Sequence, residues 1–244
     1  MELDKKTILI VDDEVDLREM LEFEFEMAGA NVITASNGKE AYELAVDKKP
    51  DAIISDIRMP GGDGVELLSN LMKNELRPPL LFISGFSDIQ VDEAYDQGAS
   101  GYFAKPFVLM DIVKKVESLV TPLEERWAIK PASEPDLLYT KALNHSFLDS
   151  KDSKVIFGSG GLLISGIEKL PLLDSMIRFD IQFTDFSVSG LGKVKWSKRV
   201  DVEVGNVCGL DLVYLDEDCR STIVDLLKEE QIKPYIPRYV ANES

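Results

Sequence analysis

The chain has 244 residues, of which 45% are hydrophobic, and a formal net charge of −17 at pH 7. This length is sufficient for two hydrophobic cores, and no apolar run reaches the length of about 18 residues that predicts a membrane-spanning helix. The excess of acids disfavours nucleic-acid binding, which needs a positive field. The first residues lack the apolar stretch of a signal peptide, so we expect a cytoplasmic protein.

Strand and helix patterns alternate five times in the first half of the chain. The predicted strands are Thr7–Val11, Asn31–Ala35, Ala52–Asp56, Pro79–Ser84 and Gly101–Ala104. A helical pattern follows each of them. This alternation predicts an α/β doubly wound, five-stranded parallel sheet over residues 1–121, with helices on both faces. Ligands of such sheets bind at the carboxyl ends of the strands.

Chemically active side chains follow the ends of these predicted strands: Asp12, Asp13, Asp56, Ser84 and Lys105. Three carboxylates held close together repel each other strongly. A hard divalent cation such as Mg²⁺ would neutralise them. One carboxylate could then attack a phosphorus atom while the hydroxyl and ammonium groups contact the phosphoryl oxygens.

The motifs "ILIVDDE", "SDIRMPGGDG", "ISG" and "YFAKPF" resemble those of the receiver domain of two-component response regulators. The resemblance implies that Asp56 is the phosphoacceptor and that a histidine kinase or a phosphotransfer protein supplies the phosphoryl group. The other implied roles are Mg²⁺ binding by Asp12, Asp13, Asp56 and the backbone carbonyl of Arg58, switching by Ser84 and Tyr102, phosphate sensing by Lys105, and a cis turn at Pro106. The protein would then be a signalling switch rather than a metabolic enzyme.

Residues 122–138 read as a linker that begins with a short helix. The sequence from Thr121 to Glu124 fits a capping box with proline at the first helical position, which predicts a helix over Leu123–Ile129. The following "KPASEP" has two prolines in six residues and is typical of a semi-extended linker. Trp127 could dock one domain on the other or be a partly buried aromatic residue of this helix.

Residues 139–244 carry β-strand patterns followed by one helical pattern. The runs "KVIFGSGGLLISG", "MIRFDIQFT", "FSVSGLGKVKW" and "VCGLDLVYL" are separated by turn residues, and "DEDCRSTIVDLLKEEQ" has the period of a helix. This pattern predicts a small antiparallel barrel or sandwich of about six strands with a closing helix. The order and rhythm of these elements resemble the PilZ domain.

The segment Asp185–Gly190 fits D/N-x-S-x-x-G, one half of the cyclic di-GMP signature of PilZ domains. In the resemblance this segment is a late strand, and the ligand turn falls in "VIFGSGGLLI", where Ile156 and Gly158 replace the aspartate and serine. No arginine lies between Arg126 and Arg178 to clamp phosphates and stack on guanine. We therefore expect a degenerate output domain; Lys193, Lys195 and Arg199 are the remaining ligand candidates.

Three functions compete for the second half. The first is an output domain that acts through contacts with an unknown downstream protein, alone or as a homodimer. The second is a cyclic di-GMP sensor that uses unusual residues and is gated by phosphorylation. The third is an enzyme, which the sequence disfavours because this half has one histidine, no clustered acids at a strand edge and no phosphate loop.

Overall fold

The computed structural model describes residues 3–74, 76–85, 89–146, 155–200, 204–229 and 235–238. The chain divides into two compact units. The first comprises Met1–Gln90 and Gln97–Thr121, and the second comprises Val91–Asp96 and Pro122–Ser244. Within the described ranges, no helix has the length and apolar character needed to cross a membrane.

The first unit contains a five-stranded, wholly parallel sheet with strand order β2-β1-β3-β4-β5. Its strands are β1 (Thr7–Val11), β2 (Asn31–Ala35), β3 (Ala52–Asp56), β4 (Leu80–Ser84) and β5 (Gly101–Ala104). Every residue of β3 and β4 is buried, which explains why these strands are nearly continuous apolar runs. The predicted doubly wound sheet is confirmed.

Helices follow the strands in alternation. They are α1 (Val15–Met27), α2 (Gly38–Lys48), α3 (Gly64–Lys73), α4 (Val91–Asp96), which groups with the second unit, and α5 (Leu109–Val120). Side-chain caps start two of them: Asn37 accepts a hydrogen bond from the backbone N–H of Glu40 at 3.0 Å, and Asp63 accepts one from Glu66 at 2.7 Å. These caps fix the starts of α2 at Gly38 and of α3 at Gly64.

The second unit contains a six-stranded mixed sheet that curls into a half-barrel. Its strand order is β6-β9-β10-β11-β8-β7. The strands are β6 (Leu137–Ala142), β7 (Val155–Phe157), β8 (Gly161–Ile167), β9 (Met176–Gln182), β10 (Ser187–Arg199) and β11 (Asn206–Leu215), and α6 (Glu217–Glu229) follows them. The sheet has the predicted number of about six strands, but a small antiparallel barrel is not confirmed, because β6 runs parallel to β9. Strand direction depends on how the connections run, which side-chain alternation does not encode.

The predicted helix over Leu123–Ile129 is a turn instead. The backbone N–H groups of Glu125 and Arg126 both bond to the Pro122 carbonyl, and Trp127 has a φ of +57°, which stops helical propagation. Trp127 is buried in the core of the second unit, and its carbonyl accepts a 3.0 Å bond from Leu215 N–H. Core packing of this aromatic ring outweighs the local helix signal.

The segment Asp185–Gly190 lies at the β9–β10 hairpin. Phe183 N–H bonds to the Phe186 carbonyl at 2.9 Å, and β10 starts at Ser187. Gly190 lies inside the strand, where a Cβ atom would be 2.2 Å from the carbonyl oxygen of Tyr214. The glycine of the apparent signature is therefore explained by close packing of β10 against β11.

Candidate functional site at the edge of the parallel sheet

One ammonium group gathers three carboxylates at the carboxyl edge of the parallel sheet. The Nζ atom of Lys105, directly after β5, lies 2.8 Å from Asp56 Oδ1 and 3.3 Å from Asp12 Oδ2. It also lies 3.0 Å from Glu14 Oε1. Since β1, β3 and β5 are parallel, side chains that are about 45 to 90 positions apart in the chain meet at this edge.

Backbone groups fix the two buried carboxylates in place. Arg58 N–H donates a 2.8 Å bond to Asp56 Oδ2, and Glu14 N–H donates a 2.8 Å bond to Asp12 Oδ1. Behind Asp56, the Ser55 hydroxyl donates to the Asp56 carbonyl at 2.7 Å. A Cβ atom at Gly64 would be 2.4 Å from that carbonyl oxygen, so α3 approaches β3 this closely only because residue 64 is glycine.

Burial dominates the electrostatics of this cluster. Burial raises the pKa of both Asp12 and Asp56, and the hydrogen bonds from Glu14, Arg58 and Lys105 offset only part of the effect. Burial alone would lower the pKa of Lys105, but its hydrogen bonds to Asp56 and Glu14 outweigh burial and raise that pKa. Lys105 is therefore a permanent positive charge beside two carboxylates that benefit from a further cation.

The carboxylate oxygens of the aspartates at this edge are hard ligands, which is the type of ligand that Mg²⁺ prefers. Asp12 and Asp56 converge on Lys105, whereas Asp13 is exposed and raises the pKa of Asp56 through its charge. Among the described residues, no group of three or more His, Cys, Asp or Glu side chains is arranged to hold a metal ion. The Mg²⁺ site stays a prediction.

Comparison with known protein families identifies the domain that contains this site. Residues 8–117 match the model of the response regulator receiver domain. This part of the chain is a response regulator receiver domain. The match ends before the second unit's sheet begins, so it says nothing about the half-barrel.

Two curated relatives match over about half of the chain. The phosphate regulon transcriptional regulatory protein PhoB of Pseudomonas aeruginosa is 37% identical over 119 residues, which are 47% of this chain and 52% of that protein. The alkaline phosphatase synthesis transcriptional regulatory protein PhoP of Bacillus subtilis is 35% identical over 121 residues, covering 47% of this chain and 48% of that protein. The chain thus spans about half the length of these relatives.

Solved receiver domains match the same half of the chain. The receiver domain of response regulator 1452 of Francisella is 28% identical, and the match covers 48% of this chain and 97% of that one with a TM-score of 0.46. The receiver domain of NtrX from Brucella abortus is 30% identical, with coverages of 46% and 97% and a TM-score of 0.44.

The remaining predicted residues of the receiver domain lie on β4 and β5. Ser84 is fully buried at the end of β4, and its hydroxyl donates a 2.9 Å bond to the Gly85 carbonyl. Tyr102 is half-buried on β5 in register with Phe82. The Lys105–Pro106 peptide bond is cis, as the resemblance implies. Their roles in a switch stay predictions.

Sequence reasoning missed Glu14 as a member of this cluster. Glu14 directly precedes α1 and contacts Lys105 through Oε1, and its backbone N–H positions Asp12. The signal was present as the third acid of the run Asp12-Asp13-Glu14, but spacing alone does not show which acid of a run turns toward the lysine.

The ligand candidates of the second unit do not form an open basic site. The Nζ atoms of Lys193 and Lys195 lie 3.3 and 3.2 Å from the same oxygen of Asp174. Arg199 is exposed at the last position of β10. Ile156 is half-buried on β7, and Gly158 begins the tight turn to β8 by donating to the Gly161 carbonyl at 2.8 Å. Nothing here brings these residues to one point.

Proposed function

We propose that this chain is a response regulator whose Asp56 accepts a phosphoryl group from a histidine kinase or a phosphotransfer protein. The observation that carries the proposal is the position of the Asp56 carboxylate at the end of β3. One oxygen accepts the Arg58 N–H bond, and the other contacts the Lys105 ammonium group. A carboxylate that is fixed in this way meets an incoming phosphorus atom in one orientation, which lowers the entropic part of the barrier.

The chemistry is a transfer between two nucleophiles. A carboxylate oxygen of Asp56 forms a bond to phosphorus, the phosphorus–nitrogen bond of the donor phosphohistidine breaks, and the imidazole leaves with the electron pair and takes up a proton. Asp12, Asp13, Asp56 and the Arg58 carbonyl would hold Mg²⁺, which when bound neutralises charge on the transferring group. Lys105 offsets the same charge, and Ser84 can donate to a phosphoryl oxygen.

The acyl phosphate on Asp56 is the switched state. The phosphoryl group adds roughly −1.5 to −2 charge beside Lys105, which changes the partners available to Ser84 and Tyr102. Attack of water on the same phosphorus atom releases inorganic phosphate and restores the carboxylate. This cycle makes the protein a switch rather than a metabolic enzyme.

Phosphorylation by a small phosphoryl donor with Mg²⁺ tests the first proposal. We expect the purified chain to gain one phosphoryl group and Asp56→Asn to gain none. Asp47→Asn, which removes an exposed carboxylate of α2, is the matched control and should be phosphorylated like the unaltered chain. Phosphorylation of Asp56→Asn at the normal rate would overturn the assignment.

For residues 139–244, after a linker at 122–138, we propose a PilZ-like output domain that acts through protein contacts in the cytoplasm. A curled sheet of six strands followed by α6 supports this proposal. A downstream protein or a second copy of the chain would be the partner.

We also propose that the output domain does not bind cyclic di-GMP. The segment between Arg126 and Arg178 has no arginine, and Lys193 and Lys195 already share Asp174. A calorimetric titration with cyclic di-GMP, with and without beryllofluoride and Mg²⁺ as a phosphoryl mimic, should give no binding heat in either state. Micromolar binding would favour the alternative function, a cyclic di-GMP sensor that uses unusual residues. Lys193, Lys195 and Arg199 would then be the residues to substitute.

A further inference from the structure

An exposed apolar loop connects β8 to β9 in the second unit. This leucine loop comprises residues 168–175, with the sequence EKLPLLDS. The exposed fractions of its three leucines are 48% for Leu170, 80% for Leu172 and 64% for Leu173. Single exposed leucines are ordinary on protein surfaces, whereas three within four positions mark an interaction site.

The leucine loop is held in one conformation by the neighbouring strands. Asp174 N–H donates to the Val194 carbonyl at 2.9 Å, and Val194 N–H donates to the Ser175 carbonyl at 3.0 Å. The Ser197 hydroxyl donates a 2.9 Å bond to the Pro171 carbonyl. These bonds and the buried Pro171 hold the loop in place while its leucines stay exposed. Binding through the leucines therefore costs no further backbone entropy.

Two backbone carbonyls near the exposed leucines already have hydrogen-bond partners. The Leu172 carbonyl accepts bonds from both the hydroxyl and the N–H of Ser175, at 2.7 and 3.3 Å. The Pro171 carbonyl is bonded to Ser197. Internal pairing of this kind matters when a segment leaves water for hydrocarbon, because there is no solvent to bond to carbonyl groups.

Lysines surround the base of the leucine loop. Lys169 is exposed within it, and Lys193 and Lys195 of β10 reach it through Asp174. Against the carboxylates of Glu168 and Asp174, the ammonium groups of Lys169, Lys193 and Lys195 leave a net charge of +1 at the loop. Apolar side chains in front of lysines match the boundary between acyl chains and anionic headgroups.

We propose that the leucine loop docks the second unit on the surface of an anionic lipid bilayer. Leu170, Leu172 and Leu173 enter the acyl boundary, while Lys169, Lys193 and Lys195 face lipid phosphates. A bilayer fits better than a protein groove because three exposed leucines stand on a tied loop beside lysines, and the Pro171 and Leu172 carbonyls are already paired. The net charge of −17 opposes tight binding, so the association is reversible.

Flotation of the full-length chain with vesicles tests this proposal. The vesicles are phosphatidylcholine with phosphatidylglycerol, compared with phosphatidylcholine alone. We expect binding to the mixed vesicles, and at least a tenfold loss of bound protein for Leu170→Ser/Leu172→Ser/Leu173→Ser.

The matched control is Met20→Ser/Phe23→Ser/Met27→Ser, which removes three exposed apolar side chains from α1 in the first unit. We expect this control to float like the unaltered chain. The circular dichroism spectrum of both triple variants should match that of the unaltered chain. In a separate variant, Leu172→Trp, the indole emission should shift to the blue on addition of mixed vesicles and be quenched by brominated acyl chains.

Three outcomes would overturn the proposal. The first is no flotation of the unaltered chain with either kind of vesicle. The second is equal flotation of the leucine-loop variant and the unaltered chain. The third is a dimer in light scattering that only the leucine-loop variant dissociates, without vesicle binding, which would assign the loop to contact with a second copy.

Discussion

Lys105 is the common contact of the receiver edge, because its ammonium group contacts Asp12, Glu14 and Asp56 at once. The carboxylates that it balances are themselves placed by backbone N–H groups. The sequence predicted the lysine and both buried aspartates from their positions after strands. It could not predict Glu14, because the choice among three consecutive acids depends on how α1 starts.

A substitution of Gly64 tests whether the close approach of α3 to β3 is needed to position Asp56. A Cβ atom there would lie 2.4 Å from the Asp56 carbonyl oxygen and 2.8 Å from the Ser55 hydroxyl. We expect Gly64→Ala to lower the free energy of unfolding by about 1–3 kcal/mol and to slow phosphorylation. Denaturant unfolding and the phosphorylation rate measure the two effects. The control is Glu66→Ala, because Glu66 is exposed in the same helical turn. A Gly64→Ala protein that is as stable and is phosphorylated as fast as the control would contradict this account.

The two cysteines should behave as buried neutral thiols. Burial raises the pKa of Cys208 to about 12 and also raises that of Cys219. The unfolded thiol ionises near pH 8.5, so the folded state keeps its proton where the unfolded state loses it. The stabilising contribution is complete below about pH 8.5 and is lost as pH rises toward the folded pKa, by up to about 1.4 kcal/mol per pH unit per thiol.

Two measurements check this behaviour of the thiols. A chromogenic disulfide at pH 8 should leave the folded chain unmodified and label two thiols in denaturant. Cys208→Ala should flatten the fall in unfolding free energy between pH 8.5 and about 10.5. Rapid labelling of the folded chain would show that the thiols are accessible. An unchanged pH profile for Cys208→Ala would show that folding does not raise the pKa of Cys208.

At the scale of elements, the parallel sheet was predictable and the half-barrel only partly so. β1, β2, β3 and β5 have the predicted bounds, because the pattern of a buried parallel strand differs from that of an amphipathic helix. The run "KVIFGSGGLLISG" contains two strands, since a turn from Gly158 to Gly161 divides it. The parallel pairing of β6 with β9 depends on contacts between distant segments, which local patterns do not contain.

Gly190 distinguishes a packing role from a ligand role for the segment Asp185–Gly190. A Cβ atom there would lie 2.2 Å from the Tyr214 carbonyl oxygen and 2.9 Å from the Phe179 ring. We expect Gly190→Ala to lower the free energy of unfolding by about 1–3 kcal/mol, measured by urea denaturation. Ser187→Ala, exposed on the same strand, is the control. Unchanged stability of Gly190→Ala together with altered binding of cyclic di-GMP would instead support a ligand role for this segment.

At the scale of the whole molecule, the chain divides into two units, and the match to the receiver family lies at residues 8–117. The length was sufficient for two cores, and the structure has two compact units. The receiver edge follows from motifs that come directly after strands, so most of its residues were predictable. The leucine loop was not, because EKLPLLDS reads as a connection until the exposure of its leucines is known.

The central claim is that the phosphoryl group is carried by Asp56. The most direct measurement is to phosphorylate the chain with a small phosphoryl donor and Mg²⁺, reduce the acyl phosphate with borohydride, and locate the reduced residue by peptide mass spectrometry. The account predicts that residue 56 alone becomes homoserine, and only in the phosphorylated sample. Reduction at another aspartate, such as Asp12 or Asp13, or at no residue, would contradict it.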